Sequence, residues 1–390
     1  MSKQRDLGIV VYGATGFTGR LVAEYLNKHY GVNGDVNWAM AGRSQSKLES
    51  VRDELGIDPA VELVVADASD TASLHSMVER AHVVLTTVGP YQHYGNELVE
   101  ACASAGTDYV DLCGEPTWMH SMIATHSDAA KASGARIVFS CGFDSVPFDL
   151  GVFFLQQAAQ ERFGKPLSRV RGRVRSMDGT WSGGTLASAR ATMEAAGKDA
   201  DLINVLVNPF SLSEAFQGPE QPDGSKTAFD EVVKSWVAPF MMAVINTKNI
   251  HRSNYLLGHP YGEDFAYDEM IMTGAGDAGE AMAKAVSEDT SMMTDTTAPG
   301  EGPSLEQRES GSFDLLFAGE TADGDVLCAS VTGDKDPGYG STCGMIAESA
   351  VALLLNGDAA GGGIWTPAPA MGSLLIERLE AKAGLKFSLE

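Results

Sequence analysis

The chain opens on a continuous apolar run, Leu7–Tyr12, cut short by the glycine turn Gly13-Ala14-Thr15-Gly16-Phe17-Thr18-Gly19. Beyond it, Leu21, Val22, Tyr25 and Leu26 recur at helical spacing and predict a helix over residues 20–29. The pattern then repeats. Short apolar runs at 37–41, 61–66, 82–88, 109–112 and 136–140 read as strands, and amphipathic stretches at 47–55, 71–79, 97–104 and 119–133 read as helices. The strands are nearly all apolar instead of alternating, as expected when both faces of a sheet are covered. This rhythm predicts an α/β fold with a Rossmann-type doubly wound parallel sheet over residues 1–145.

After residue 145 the rhythm changes. A helix at 149–163 leads into a strand at 170–177 in which Arg169, Arg171, Arg173 and Arg175 alternate, which places four guanidinium groups on one sheet face. In so acidic a chain a salt-bridged outer face is favoured over a clamp for an anionic substrate. Strands at 312–318 and 326–331 flank Asp323-Gly324, a hairpin pattern. Residues 146–342 are therefore expected to form a second α/β domain with a mainly antiparallel sheet, and residues 343–390 a helical closing segment.

Composition narrows the function. Among 390 residues, 52 acids outweigh 28 bases, for a formal charge of −24. Nucleic-acid binding is excluded as an expectation, because phosphate contacts need clustered Lys and Arg. Much of the imbalance lies in residues 261–340, read as solvated helix ends and loops that include Pro299. The longest apolar run, 237–245, is about half of what a transmembrane helix needs. A polar start leading straight into a strand argues against a secretory signal. Five scattered cysteines without CxxC spacing fit free thiols in a reducing cytoplasm better than a zinc site, so no metal is expected. Peripheral membrane contact and a homodimer are left open.

The glycine turn has the context that gives such a pattern meaning: a strand before, a helix after and a second strand behind. Gly13 permits the tight turn, Gly16 allows a pyrophosphate to approach the backbone, and Gly19 allows close helix packing. The bland reading is a glycine-rich turn without a ligand. At the end of the second strand, where an NAD site carries an acid, this chain has Gly42-Arg43-Ser44, with Lys47 one turn on. A guanidinium pairs a 2′-phosphate that a carboxylate would repel, so the expected cofactor is NADP(H). Asp67 and Ala68 fall at the adenine edge, and Val88-Gly89-Pro90-Tyr91 where the nicotinamide half belongs.

A series of further motifs carries a resemblance. They are Gly89-Pro90-Tyr91 with Gly95, Tyr109-Val-Asp111-Leu-Cys-Gly114-Glu115 and Cys141-Gly-Phe-Asp144-Ser145-Val-Pro147, then Ser182-Gly183-Gly184-Thr185, Gly338-Tyr339-Gly-Ser-Thr342 and Gly362-Gly363-Ile-Trp-Thr366-Pro367-Ala368. With the glycine turn, they make the chain resemble the saccharopine dehydrogenase-like oxidoreductases over nearly its whole length. Within that family it is most similar to the trans-acting enoyl reductases. The resemblance implies a Rossmann domain, an α/β second domain and a C-terminal helix returning to the first.

Hydride addition to a conjugated double bond needs an oriented nicotinamide, a stabilised enolate and a proton donor. Tyr91, His93 and Asp144 are the catalytic candidates. Each has a structural reading beside it: packing under the nicotinamide for Tyr91, an ordinary loop hydrogen bond for His93, and backbone N–H binding for Glu115 and Asp144. The segment 236–245 is apolar all round, and Met270, Met272, Met292 and Met293 follow it; these suit an acyl-chain pocket or plain core. The leading expectation is an NADPH-dependent oxidoreductase reducing an enoyl or carbonyl group of an apolar, free or carrier-bound, small-molecule substrate. The alternatives are a non-catalytic NADP(H) sensor and an amino-acid-type dehydrogenase with anion-binding arginines in its cleft.

Overall fold

Six apolar runs of the first third of the chain form β1 (Leu7–Tyr12), β2 (Trp38–Gly42), β3 (Glu62–Val65), β4 (Ala81–Thr86), β5 (Asp108–Val110) and β6 (Arg136–Val138) in a computed structural model. It describes residues 5–32, 34–179, 183–298, 300–355 and 360–390. Ser182, Pro299 and the side chains of Met292 and Met293 lie outside the described residues. The first sheet is wholly parallel, in the order β3-β2-β1-β4-β5-β6 with one further strand beyond β6. The strand order reverses between β1 and β4, so their carboxyl ends flank the crevice where open α/β sheets bind ligands.

The second sheet is built from β7 (Arg169–Asp178), β8 (Ala228–Asp230), β9 (Ser235–Pro239), β10 (Ala266–Gly274), β11 (Ser312–Glu320) and β12 (Val326–Gly333). Its core pairings are antiparallel except β7 with β10, which run parallel. The hairpin of β11 and β12 lies where its turn residues predict it. The arginine ladder is ion-paired. Arg171 meets Glu320 at 3.6 Å, Arg175 meets Asp314 at 3.0 Å as well as Glu390, and Arg169 pairs with Asp268. Arg173 departs from the expectation of an outer face: it is 3% exposed, held between Asp230 (2.8 Å) and Asp268 (2.9 Å). β10 escapes a hydropathy reading because Asp268 and Glu269 interrupt it; both are buried there, Asp268 by arginines and Glu269 by Asn246 (2.7 Å) and Tyr267 (2.9 Å).

Two readings need correction. The apolar stretch 236–245 is not one element: it is most of β9, a turn, and the start of the helix Ala243–Leu256. Nor is the closing segment only helical. It returns to the first sheet, as the resemblance implies, but adds a strand to each sheet: β13 (Gly363–Trp365) beside β6, and β14 (Leu385–Leu389) beside β12.

Ahead of these strands in the chain, the helix Thr342–Leu355 packs on the helix Phe17–His29 and on β1, β4 and β5. The stretch Pro337–Leu355 is long and apolar enough for a membrane span, yet most of it is buried inside the fold. Its one acid, Glu348, is 0% exposed. It accepts hydrogen bonds from Tyr25 Oη (2.8 Å) and Tyr30 Oη (2.7 Å) and pairs with Arg378 at 2.7 Å. Removing one member of such a buried set strands its partners without water. Glu348→Ala is expected to cost about 3–5 kcal/mol of stability, read by urea denaturation; a loss below about 1 kcal/mol would show the network to be dispensable.

Candidate active site in the cleft between the sheets

The glycine turn is shaped by its own contacts. Gly13 sits at φ +93°, and a β-carbon there would lie 2.8 Å from both Thr87 Oγ1 and Val88 Cγ2. At Gly19 a β-carbon would lie 2.1 Å from the Gly13 carbonyl, so only glycine lets the helix Phe17–His29 start this close to β1. Gly16 is different: a β-carbon there would meet nothing nearer than the Gly13 carbonyl at 3.4 Å. Protein packing does not demand glycine at that position, which faces the cleft. Phe17 and Thr18 also face the cleft, and first-turn N–H groups of a helix have no intrahelical acceptor.

The main cavity, about 1210 Å³, runs from this turn past the ends of β4 and β5 to the turn that follows β9 and the start of the helix Ala243–Leu256. A smaller pocket of about 260 Å³ adjoins it, lined by Thr15, Arg43, Ser44, Lys47 and Asp67. Ser44 Oγ caps the helix Gln45–Glu54 by accepting from Lys47 N at 3.4 Å. Arg43 and Lys47 are exposed and form no ion pair among the described residues. Asp67 turns its carboxylate onto Ser69, accepting from its N–H (2.9 Å) and its hydroxyl (2.8 Å), and these bonds hold its pKa below the usual carboxylate range. Two cations therefore share a pocket with one acid, whose Oδ1 is engaged by Ser69.

Gly13, Thr15, Gly16, Phe17, Thr18, Arg43, Asp67, Ala68, Val88, Gly89, Tyr91, His93 and Asp144 all line the main cavity. Ser44 and Lys47 line the smaller pocket; Ala14, Gly19 and Pro90 line neither. The three catalytic candidates differ in what they are free to do. The Tyr91 hydroxyl donates to Thr86 O (3.4 Å) and accepts from Leu112 N (3.0 Å), and burial pushes its pKa well above that of an ordinary tyrosine. That geometry supports packing and not proton donation. His93 is exposed at the rim, edge-on to Tyr94. The Asp144 carboxylate accepts no hydrogen bond from any described residue, and desolvation pushes its pKa up to about 6. Glu115, by contrast, is used structurally: it accepts from Tyr91 N and Gln92 N, each at 2.9 Å.

Part of the far wall was not legible in the sequence. The helices Gly183–Lys198 and Ala200–Val207 contribute Thr185, Ser188, Met193, Leu206 and Val207. The first shows only a stretch of small residues after Gly183-Gly184-Thr185; the second has an Asp199 cap and the mainly apolar run 202–207, which mark a helix but not its place at the cavity. From the segment 236–245, only Met241, Met242, Val244 and Ile245 reach the cavity. Met270 and Met272 do not line it, and neither do the four arginines of β7.

Residues 9–138 match the family model of the saccharopine dehydrogenase NADP-binding domain. The chain is 40% identical, across 97% of its length and 96% of the relative's, to a Mycobacterium tuberculosis protein whose name places it with the trans-acting enoyl reductases. It is 37% identical to the trans-acting enoyl reductase of Mycobacterium ulcerans, with 97% of this chain and 96% of that protein covered. This chain belongs to the saccharopine dehydrogenase-like oxidoreductases, in the trans-acting enoyl reductase family. It is an NADP-dependent oxidoreductase. Solved structures give the same fold at low identity. Saccharopine dehydrogenase (L-Glu forming) of Saccharomyces cerevisiae superposes at TM-score 0.56 with 13% identity, covering 98% of this chain and all of that one. Homospermidine synthase of Legionella pneumophila gives 0.58 with 9% identity, covering 99% and 91%.

The residues present fit the family's cofactor. The open side of Gly16 and the first-turn N–H groups of the helix Phe17–His29 suit a pyrophosphate. Arg43 and Lys47 suit the 2′-phosphate that separates NADP from NAD. NADPH is accordingly expected to bind at least tenfold tighter than NADH, about 1.4 kcal/mol or more. Arg43→Ala should weaken NADPH while leaving NADH nearly unchanged. Fluorescence titration with both nucleotides checks this, and equal affinities in the unmutated protein would refute the assignment of the pocket.

Proposed function

We propose that this protein reduces the carbon–carbon double bond of an apolar enoyl thioester with NADPH. One observation carries the reading: the cofactor groove continues without a break into a wall of Met193, Leu206, Val207, Met241, Met242, Val244 and Ile245. Several of these are large apolar side chains left open at the mouth, with Val207 70% exposed and Met193 53% exposed. Such exposure has a use where an acyl chain covers it. The relatives' names favour an enoyl group over an isolated carbonyl.

When bound, NADPH supplies a hydride. The protein's own part is placement and exclusion of water. Glu115 ties down the N–H groups of Tyr91 and Gln92 and so holds the chain that follows Gly89 at the end of β4. Trp118 packs against Tyr91 behind it, tilted by 33° with ring centroids 5.5 Å apart. The apolar wall desolvates the substrate and gains about 0.8 kcal/mol for each methylene it buries. An amino-acid-type substrate finds no such support. Arg43, at the opposite end, is the one Lys or Arg lining the main cavity among the described residues, so several carboxylates would be desolvated there without partners.

Affinity for enoyl thioesters should therefore rise with chain length until the pocket is full, while saccharopine should be a poor substrate. NADPH oxidation across a length series measures the first, and NADP⁺ reduction with saccharopine the second. Val207→Asp should depress kcat/KM for the longest acceptors by about tenfold, on the order of 1.4 kcal/mol, and spare the shortest. Rates independent of chain length, or efficient saccharopine oxidation, would refute the reading.

A further inference from the structure

The geometry points to Asp144 as the catalytic acid that protonates the substrate carbon next to the carbonyl, an inference that rests on the enoyl-reductase reading. Three observations converge on it. Asp144 follows β6 and lines the main cavity, on the side of the crevice that also carries the residues following β4 and β5. Where Gly114 lacks a side chain, a β-carbon would lie 3.9 Å from Asp144 Oδ2 and 3.9 Å from Met242 Cε. The acid and the start of the apolar wall thus face one small space kept open by a glycine. The third observation is the contrast with neighbouring acids.

Other carboxylates near the crevice are engaged by the fold or lie away from the cavity. Asp111 accepts from Tyr109 Oη (2.9 Å), Cys113 N (3.0 Å) and Ser140 N (2.8 Å). Glu115 holds two N–H groups. Asp149 accepts from Ala368 N at 2.8 Å through Oδ2, and its Oδ1 is buried without a partner among the described residues, but it does not line the cavity. Asp144 accepts none from the described residues, so its oxygens are available to a ligand. Burial raises its pKa to about 6, with no charged neighbour contributing. Tyr91, His93, Tyr94 and Glu97 from the segment after β4, Cys113 from the loop after β5, and Tyr339 are other titratable groups that line the cavity.

The step balances simply. The double bond gains a hydride, with its two electrons, at the β-carbon. The resulting enolate takes the proton from the Asp144 carboxyl at the α-carbon, which leaves a carboxylate that recovers a proton from water. Asp144 must be protonated to act, so kcat/KM should fall as pH rises through about 6, and filling the cleft with an apolar chain should move the corresponding limb of kcat upward.

Asp144→Asn should lower kcat by roughly 10²- to 10⁴-fold, abolish that descending limb and leave NADPH affinity unchanged, while Asp144→Glu should restore part of the rate. A separate readout needs no substrate: difference infrared titration of the protein should show a carboxyl carbonyl band with a midpoint near 6 that is missing from the Asn variant. A variant that binds NADPH and keeps kcat within about threefold, or a wild-type protein without that band, would overturn the assignment. If no enoyl thioester is reduced but the band is present, the substrate reading fails and the protonatable Asp144 stands.

Discussion

A charge held away from water must be matched, and Glu348 is where this fold meets that constraint. It is wholly buried on an apolar helix, and its partners come from two distant places. Tyr25 and Tyr30 belong to the helix behind the glycine turn and to its end, and Arg378 to the helix that precedes β14. The carboxylate can be satisfied only when the beginning and the end of the chain are docked together. That docking places β13 in the first sheet and β14 in the second, so one closing segment is hydrogen-bonded into both. The cleft is the space between two sheets whose relation is set this way.

Within the cleft, similar carboxylates do different work because their surroundings differ. Asp111 bridges the ends of β5 and β6, and Glu115 holds the short helix after Gly89, each through backbone N–H groups. Such bonds occupy these carboxylates and position the crevice, although burial still pushes the Asp111 pKa up to about 7. Asp144 has desolvation without donors from the described residues, which raises its pKa and leaves its oxygens open to a ligand. The difference is not visible in residue type. It comes from which loops end beside which carboxyl.

An acidic protein that binds a polyanionic cofactor needs its charges sorted in space. At physiological salt, exposed charges beyond about 8 Å are largely screened, so the acids of residues 261–340 weigh little against Arg43 and Lys47 at the pocket itself. Asp67 stays ionised at close range, with its Oδ1 engaged by Ser69, and the two cations of the pocket outnumber it. In the second sheet the acids have the opposite role. Asp230, Asp268 and Asp314 absorb arginines that would otherwise stand unpaired on one strand. The same pairing withholds those arginines from any anionic substrate.

The sequence by itself determined the parallel sheet, the glycine turn and the cofactor, because each rests on local rules. Continuous apolar runs mark strands covered on both faces, glycines mark backbone that no side chain can follow, and Arg43 and Lys47 lie within one turn of a strand end. The hairpin at Asp323-Gly324 was legible for the same reason. Tertiary structure alone decided the rest. Asp268 and Glu269 read as polar interruptions until arginines and Asn246 from other elements bury them in β10. The apolar stretch 236–245 could be divided between a strand and a helix only once each half had a neighbour. The small-residue helix Gly183–Lys198 carries little hydrophobic signal, because it roofs a cavity instead of filling a core. The availability of Asp144, against the full engagement of Tyr91, depends on donors that come from loops far apart in the chain, and no spacing in the sequence records which of those loops meet.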